Sequence, residues 1–173
     1  MKKLLILFIL CMTLPCFASE QSVLNEARIM YKTVVKHDVN TLPQADKDLV
    51  GLIYLYPKYI STFNGEELVN LGNVIIKCLP NAKNPNKESA EILAYSAISV
   101  GNAFKLNFTE ARKALNQLSK FNGKVIDGSD CTANYNKIKT LVNTIETSYN
   151  RAKANGYMSE EQLKNTIKSQ LGI

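Results

Sequence analysis

Residues 90–104, AEILAYSAISVGNAF, decide the fold. Ala90, Leu93, Ala97, Val100 and Phe104 recur at alternating steps of three and four, whereas Ile92, Tyr95 and the nearby Leu106 fall on nearly the opposite side of the same helix. A helix with one apolar stripe covers a core from one side. A helix apolar on two sides has neighbours on both, so this segment predicts the central element of an all-α domain.

Toward the C-terminus, Asn107 with Glu110 three residues on starts a fifth helix carrying Ala111, Leu115 and Leu118, which Asn122-Gly123 ends. A loop from Lys124 to Asp130, dense in turn formers, leads to the longest helix. Its stripe of Tyr135, Ile138, Val142, Ile145, Tyr149 and Ala152 runs to Asn155-Gly156, and its other face is polar. Ser159 with Gln162 caps a last short helix holding Leu163, Ile167 and Leu171. Toward the N-terminus, Asn64 and Glu67 open a third helix with Leu68, Leu71, Ile75 and Leu79 inward and Pro80 as its stop. Thr41 with Gln44 forms a capping box for the second, which has Pro43 in its first turn; Ala45, Leu49, Leu52 and Tyr56 then repeat until Pro57 ends or kinks the run. Val23, Ala27, Met30, Tyr31 and Val34 mark the first helix, terminated by His37 to Asn40. Strand alternation is nearly absent. Short connections force neighbours side by side, so residues 19–173 predict a single domain of about seven antiparallel-packed helices, an array or bundle.

Val100-Gly101, Phe104, Glu110-Ala111 and Leu115 resemble the helical hairpin of a tetratricopeptide repeat. The resemblance covers about 30 residues of a repeat roughly 34 long. The interval from Phe104 to Ala111 is shorter than that repeat requires, and no second copy follows at its period. The segment is a generic helical hairpin, and no family is assigned on it.

Residues 1–18 read as a cleavable signal peptide: Lys2 and Lys3 lead, Leu4 to Leu14 are apolar, and Pro15 precedes Cys16-Phe17-Ala18 with small residues at the cleavage positions. Even Leu4 to Ala18 falls short of the roughly 20 apolar residues of a spanning helix. The expected product begins at Ser19, is periplasmic or secreted, and has no membrane span. Export leaves Cys78 and Cys131 as the only thiols, and in an oxidising compartment these are expected to form one disulfide between the end of the third helix and the start of the sixth.

The sequence excludes much chemistry. His37 is the only histidine and no Cys-x-x-Cys spacing exists, so no metal, haem or thiol-exchange site is predicted, and no cofactor. Asp127-Gly128-Ser129-Asp130 opens somewhat like a calcium loop but lacks its glycine and late glutamate, and reads as a turn. No nucleophile elbow, phosphate loop or dinucleotide fingerprint occurs. The acidic pairs Glu66-Glu67 and Glu160-Glu161 lie in first turns of helices, where acids stabilise the helix dipole.

Two features are candidates for binding, against burial under neighbouring helices for the first and a solvated helix surface for the second. Residues 52–60 read LIYLYPKYI; Tyr54 and Leu55 fall outside the arc of Leu49, Leu52, Ile53 and Tyr56 at about 100° per residue, so either neighbouring helices or a partner anchored by Tyr54, Tyr56 and Tyr59 must cover them. The chain holds 21 Lys and Arg against 15 Asp and Glu, a formal net charge of +6. Residues 19–110 are nearly balanced, whereas 111–173 hold twice as many basic as acidic groups. Lys137, Lys139, Arg151 and Lys153 at that end are candidates for an acidic protein or an anionic envelope polymer, and nucleic acid is not expected outside the cell. These features predict a non-catalytic protein-binding module of the envelope or secretome, such as an adaptor, inhibitor or immunity-type protein. The alternative is a small envelope hydrolase whose carboxylates pair in space.

Overall fold

The computed structural model describes residues 19–35, 42–83 and 86–156, together with Ser159, Glu161, Gln162, Asn165 and Ser169. Among the described residues the fold is all-α: helices α1 Glu20–Val34, α2 Gln44–Ser61, α3 Gly65–Cys78, α4 Lys87–Phe104, α5 Phe108–Leu118 and α6 Cys131–Asn155. A two-residue hairpin, β1 Val125–Ile126 and β2 Ser129–Asp130, joins α5 to α6. None of these helices is long and apolar enough to cross a membrane.

Start signals act as the spacing requires. The Asn64 side chain accepts from the Glu67 amide, and that of Asn107 from the Glu110 amide. The Asp130 carboxylate accepts from the amides of Thr132 and Ala133, and Gly156 closes α6 with φ +65°. Ser159 and Gln162 exchange the two reciprocal bonds of a capping box. The apolar positions expected beyond it, Leu163, Ile167 and Leu171, lie outside the described residues, as do His37 and Thr41.

Three local expectations are corrected. Gln44 opens α2, but its side chain donates to Asp48 (2.7 Å) and Pro43 occupies the cap position without a side-chain bond. Pro57 does not end α2, which continues to Ser61. The carbonyl deprived of a partner is that of Ile53, and both residues lie on the solvent side, where water replaces the missing bond. The loop after α5 is a β-hairpin: Asp127 (φ +51°) and Gly128 (φ +75°) form a turn with both central residues left-handed, the geometry Asp-Gly favours.

The central position of α4 is as expected. It packs against α2, α3, α5 and α6. Consecutive helices from α2 to α5 run antiparallel: Gly65 meets Gly101 and Gly72 meets Ala94 across α3 and α4, and the Ser99 hydroxyl donates to the Ala111 carbonyl (3.0 Å) across α4 and α5. Helix α1 lies across the α2/α3 pair. Its Arg28 reaches Asp48 near the start of α2, Glu26 reaches Lys58 and Tyr59 near the end, and Glu20 reaches Lys77 at the end of α3.

Glycine makes this layering possible at two seams. A Cβ at Gly51 would stand 2.0 Å from the Ala27 carbonyl oxygen, so α2 and α1 touch backbone to backbone. Gly65 and Gly101 do the same for α3 and α4, where added Cβ atoms would sit 2.6 and 2.7 Å from the opposite carbonyls. Around these seams Leu52, Leu55, Leu68, Leu71, Ile75, Val100 and Ile145 are fully buried.

Candidate functional site

One candidate residue from each of the two features, Tyr56 and Lys137, borders the same groove. This groove of about 560 Å³ lies between α4, the hairpin and the start of α6, with Tyr56 of α2 at its edge. Ile92, Leu93 and Ile126 supply apolar walls; Ser96, Asn134 and Lys137 supply polar groups, and the carboxylates of Asp127 and Asp130 also line it. Its size is in the range of small-molecule and side-chain anchoring pockets.

The elements that build it are locally well determined. The Asp-Gly turn folds β2 back so that the Cys131 amide donates to the Lys124 carbonyl (3.1 Å), and the Gly123 amide donates to the Thr132 hydroxyl (2.8 Å). Ser89 at the start of α4 donates to Asp127, and Lys124 pairs with Glu88, so the hairpin is tied to α4 at the groove's rim. Both acids of the hairpin are thereby engaged: Asp127 accepts from Ser89, and Asp130 accepts from the first amides of α6.

One group in the groove is left without a partner. The Ser96 hydroxyl is buried and makes no hydrogen bond, whereas the hydroxyl of Ser99, one turn on, is satisfied. A buried hydroxyl without a partner costs about 1–3 kcal/mol. Burial pushes the Tyr56 hydroxyl up to about 12, so it remains a neutral donor at physiological pH.

Of the other candidates, Tyr54 is 55% exposed, beside Ile53 at 43%. Leu55, expected outside the core arc, is fully buried, and Ile53, expected within it, is not. Tyr59 is corrected as a partner anchor: it is 1% exposed, and its hydroxyl donates to Glu26 (2.6 Å). On α6, Lys139 lies 5.7 Å over the Tyr135 ring, and Arg151 borders a shallow groove with Thr144, Thr147 and Ser148. Sixteen residues of helix, roughly 24 Å, separate Lys137 from Lys153, and at about 100° per residue Lys139 and Lys153 fall on the opposite side of α6 from Lys137 and Arg151, so the four basic residues do not form one patch.

The expected disulfide is also corrected, because Cys78 and Cys131 are both free. Cys78 closes α3 against Leu24, Ala45 and Asp48, and Cys131 opens α6 in the groove; α4 packs against both helices and keeps the thiols in separate neighbourhoods. Burial, then the nearby Asp48 charge, pushes the Cys78 thiol up.

Sequence reasoning missed the acidic pair that does meet in space. Glu67 faces Glu26 near Lys58, while its neighbour Glu66 pairs with Lys105. Burial and then the Glu26 charge raise the Glu67 carboxyl. Burial alone would raise Glu26 too, but hydrogen bonds from Lys58 and Tyr59 hold it below its ordinary value. Neither acid lines either of the two main grooves. A raised acid binds its proton more tightly in the folded state, so ionising Glu67 destabilises the fold, and stability falls as pH rises through its folded value. Glu67→Gln should therefore raise Tm at neutral pH, with the gain vanishing below about pH 4, where both states are protonated. Thermal melts across that range check it, and an equal gain at every pH would contradict it.

Comparisons with known proteins complete the description. No family model, curated protein or solved structure matches the chain. The site therefore rests on its own geometry.

Proposed function

We propose that this protein is an exported, non-catalytic binding module, an adaptor, inhibitor or immunity-type protein, that holds an acidic segment of a partner protein in the α4–hairpin–α6 groove. The supporting observation is that Tyr56, from the tyrosine segment, and Lys137, from the basic end, border one groove with an unsatisfied Ser96 hydroxyl. An apolar partner side chain fits against Ile92, Leu93 and Ile126, its backbone carbonyl accepts from Ser96, and a carboxylate pairs with Lys137. Arg151, on the same side of α6 as Lys137, and the net positive charge of residues 111–173 steer such a segment toward the groove.

The test is affinity capture from envelope extract, followed by binding measurements with the partner recovered. Lys137→Glu leaves the fold intact, since Lys137 is exposed, and should weaken binding about tenfold. Reversing Lys137, Lys139, Arg151 and Lys153 together should slow association more at low than at moderate salt. Recovery of an anionic polymer instead of a protein, or a partner indifferent to Lys137→Glu, would overturn the reading. Export is checked by the N-terminus of the processed chain, expected at Ser19.

A further inference from the structure

The chain contains three Asn-Gly pairs: Asn64-Gly65, Asn122-Gly123 and Asn155-Gly156. Glycine has no Cβ to shield its own amide nitrogen, so that nitrogen can close on the side chain of a preceding asparagine. Such closure needs a free carboxamide, an uncommitted glycine amide and a backbone loose enough to bring one onto the other. The fold treats the three pairs differently on each count.

Asn64-Gly65 is sealed. The Asn64 side-chain oxygen accepts from the Glu67 amide at 3.1 Å, and Gly65 is buried against α4, where an added Cβ would stand 2.6 Å from the Gly101 carbonyl oxygen. Asn122-Gly123 is exposed at the entrance to the hairpin, but the Gly123 amide donates to the Thr132 hydroxyl at 2.8 Å. Thr132 is itself held in the first turn of α6, its amide donating to Asp130. Asn155-Gly156 has neither protection. Both residues are exposed, and among the described residues the Asn155 side chain makes no hydrogen bond. The Gly156 amide donates only to the Lys153 carbonyl, at 3.3 Å, in the last turn of α6, and helix ends open at little cost.

We infer that Asn155 is a site of spontaneous modification, converted with time to aspartate and isoaspartate. The Gly156 amide nitrogen gives up its proton and attacks the Asn155 side-chain carbonyl carbon. A new C–N bond closes a cyclic succinimide, the bond to the side-chain nitrogen breaks, and ammonia leaves with the proton. Water then opens the ring, at the side-chain carbonyl to give aspartate or at the main-chain carbonyl to give isoaspartate. The new carboxylate stands at the C-terminus of α6, where the partial negative charge of the helix disfavours it. Isoaspartate also inserts a backbone carbon ahead of Gly156, whose φ of +65° forms the left-handed cap. The last turn of α6 loosens, and the basic end loses net positive charge beside Arg151 and Lys153.

The experiment ages the purified chain at body temperature, at neutral and mildly alkaline pH, then digests it under mildly acidic conditions and resolves the peptides by chromatography and mass spectrometry. Asn155 should convert at least about tenfold faster than Asn64, with Asn122 between them. The rate should rise with pH, because the attacking nitrogen must lose a proton. Two products, with isoaspartate in excess, mark the cyclic intermediate. Thr132→Val should speed conversion at Asn122 and leave Asn155 unchanged. In denaturant the three rates should converge, because only the fold separates them. Asn155 converting no faster than Asn64 in the folded protein, aspartate as the sole product, or the same ranking persisting in denaturant would each overturn the inference.

Discussion

Gly51→Ala is expected to cost about 3 kcal/mol or more, a large share of a typical stability of roughly 5–15 kcal/mol. The added Cβ would stand 2.0 Å from the Ala27 carbonyl oxygen, 2.6 Å from its carbon and 3.0 Å from its Cα, all backbone atoms of a fully buried residue. No rotamer relieves such a contact. Only a shift of α1 away from α2 does, and that shift opens the packing of Val23, Leu52 and Leu55 and pulls Arg28 from Asp48. Gly123→Ala is the informative contrast: its φ of +82° carries strain of about 1 kcal/mol, but the new methyl meets nothing within 4 Å. Chemical denaturation of both variants separates the two causes. A Gly51→Ala midpoint close to that of Gly123→Ala would show that the α1–α2 seam is softer than its geometry implies.

The second large effect is expected at Ile145→Ala, about 2–5 kcal/mol, with a different spatial signature. Ile145 is fully buried on α6, whose other buried apolar side chains are Cys131, Ile138 and Val142. Tilted ring contact between Phe108 and Tyr149 (5.6 Å) and the Arg112–Glu146 ion pair are the nearby supports. The main packing partners of α6 are α4 and α5, so loosening it leaves the α1–α3 layer untouched. Hydrogen exchange should speed up in α6 and the hairpin while α2 and α3 keep their protection. Binding in the hairpin groove should weaken as well, since α6 forms one wall. Uniform loss of protection along the chain would show one cooperative unit instead.

Much of this architecture was legible because helix period and end chemistry are local. Asn64, Asn107 and Ser159 cap where the spacing put them, and the double stripe of residues 90–104 marked the central helix. The facing of α2 was not legible. Its arc centres on Asp48, Leu52, Leu55 and Tyr59, because buried Asp48 is satisfied by Arg28 from another helix and Gly51 marks the contact with α1. A pattern that counts only apolar residues treats both positions as gaps and turns the helix by one residue, exchanging Ile53 for Leu55. The hairpin escaped because two-residue strands are too short to alternate, though Asp127-Gly128 carried its turn signature. Of the groove, Tyr56 and Lys137 were visible for separate reasons; Ser96, Ile92 and Leu93 look like ordinary helix positions until the hairpin stands beside them.

The glycine seams bear on how this fold can change over evolutionary descent. A leucine-filled interface accepts Ile, Met or Val with modest repacking, so its chemistry can wander while its volume is kept. An interface of bare backbone has no such currency: at Gly51, Gly65 and Gly101 every other residue brings the atom that the seam excludes. Divergence must flow around these three positions and the facing Ala27. Two chains could share this architecture while agreeing at little more than a few small residues spaced along their helices, so kinship would survive as a rhythm of missing side chains.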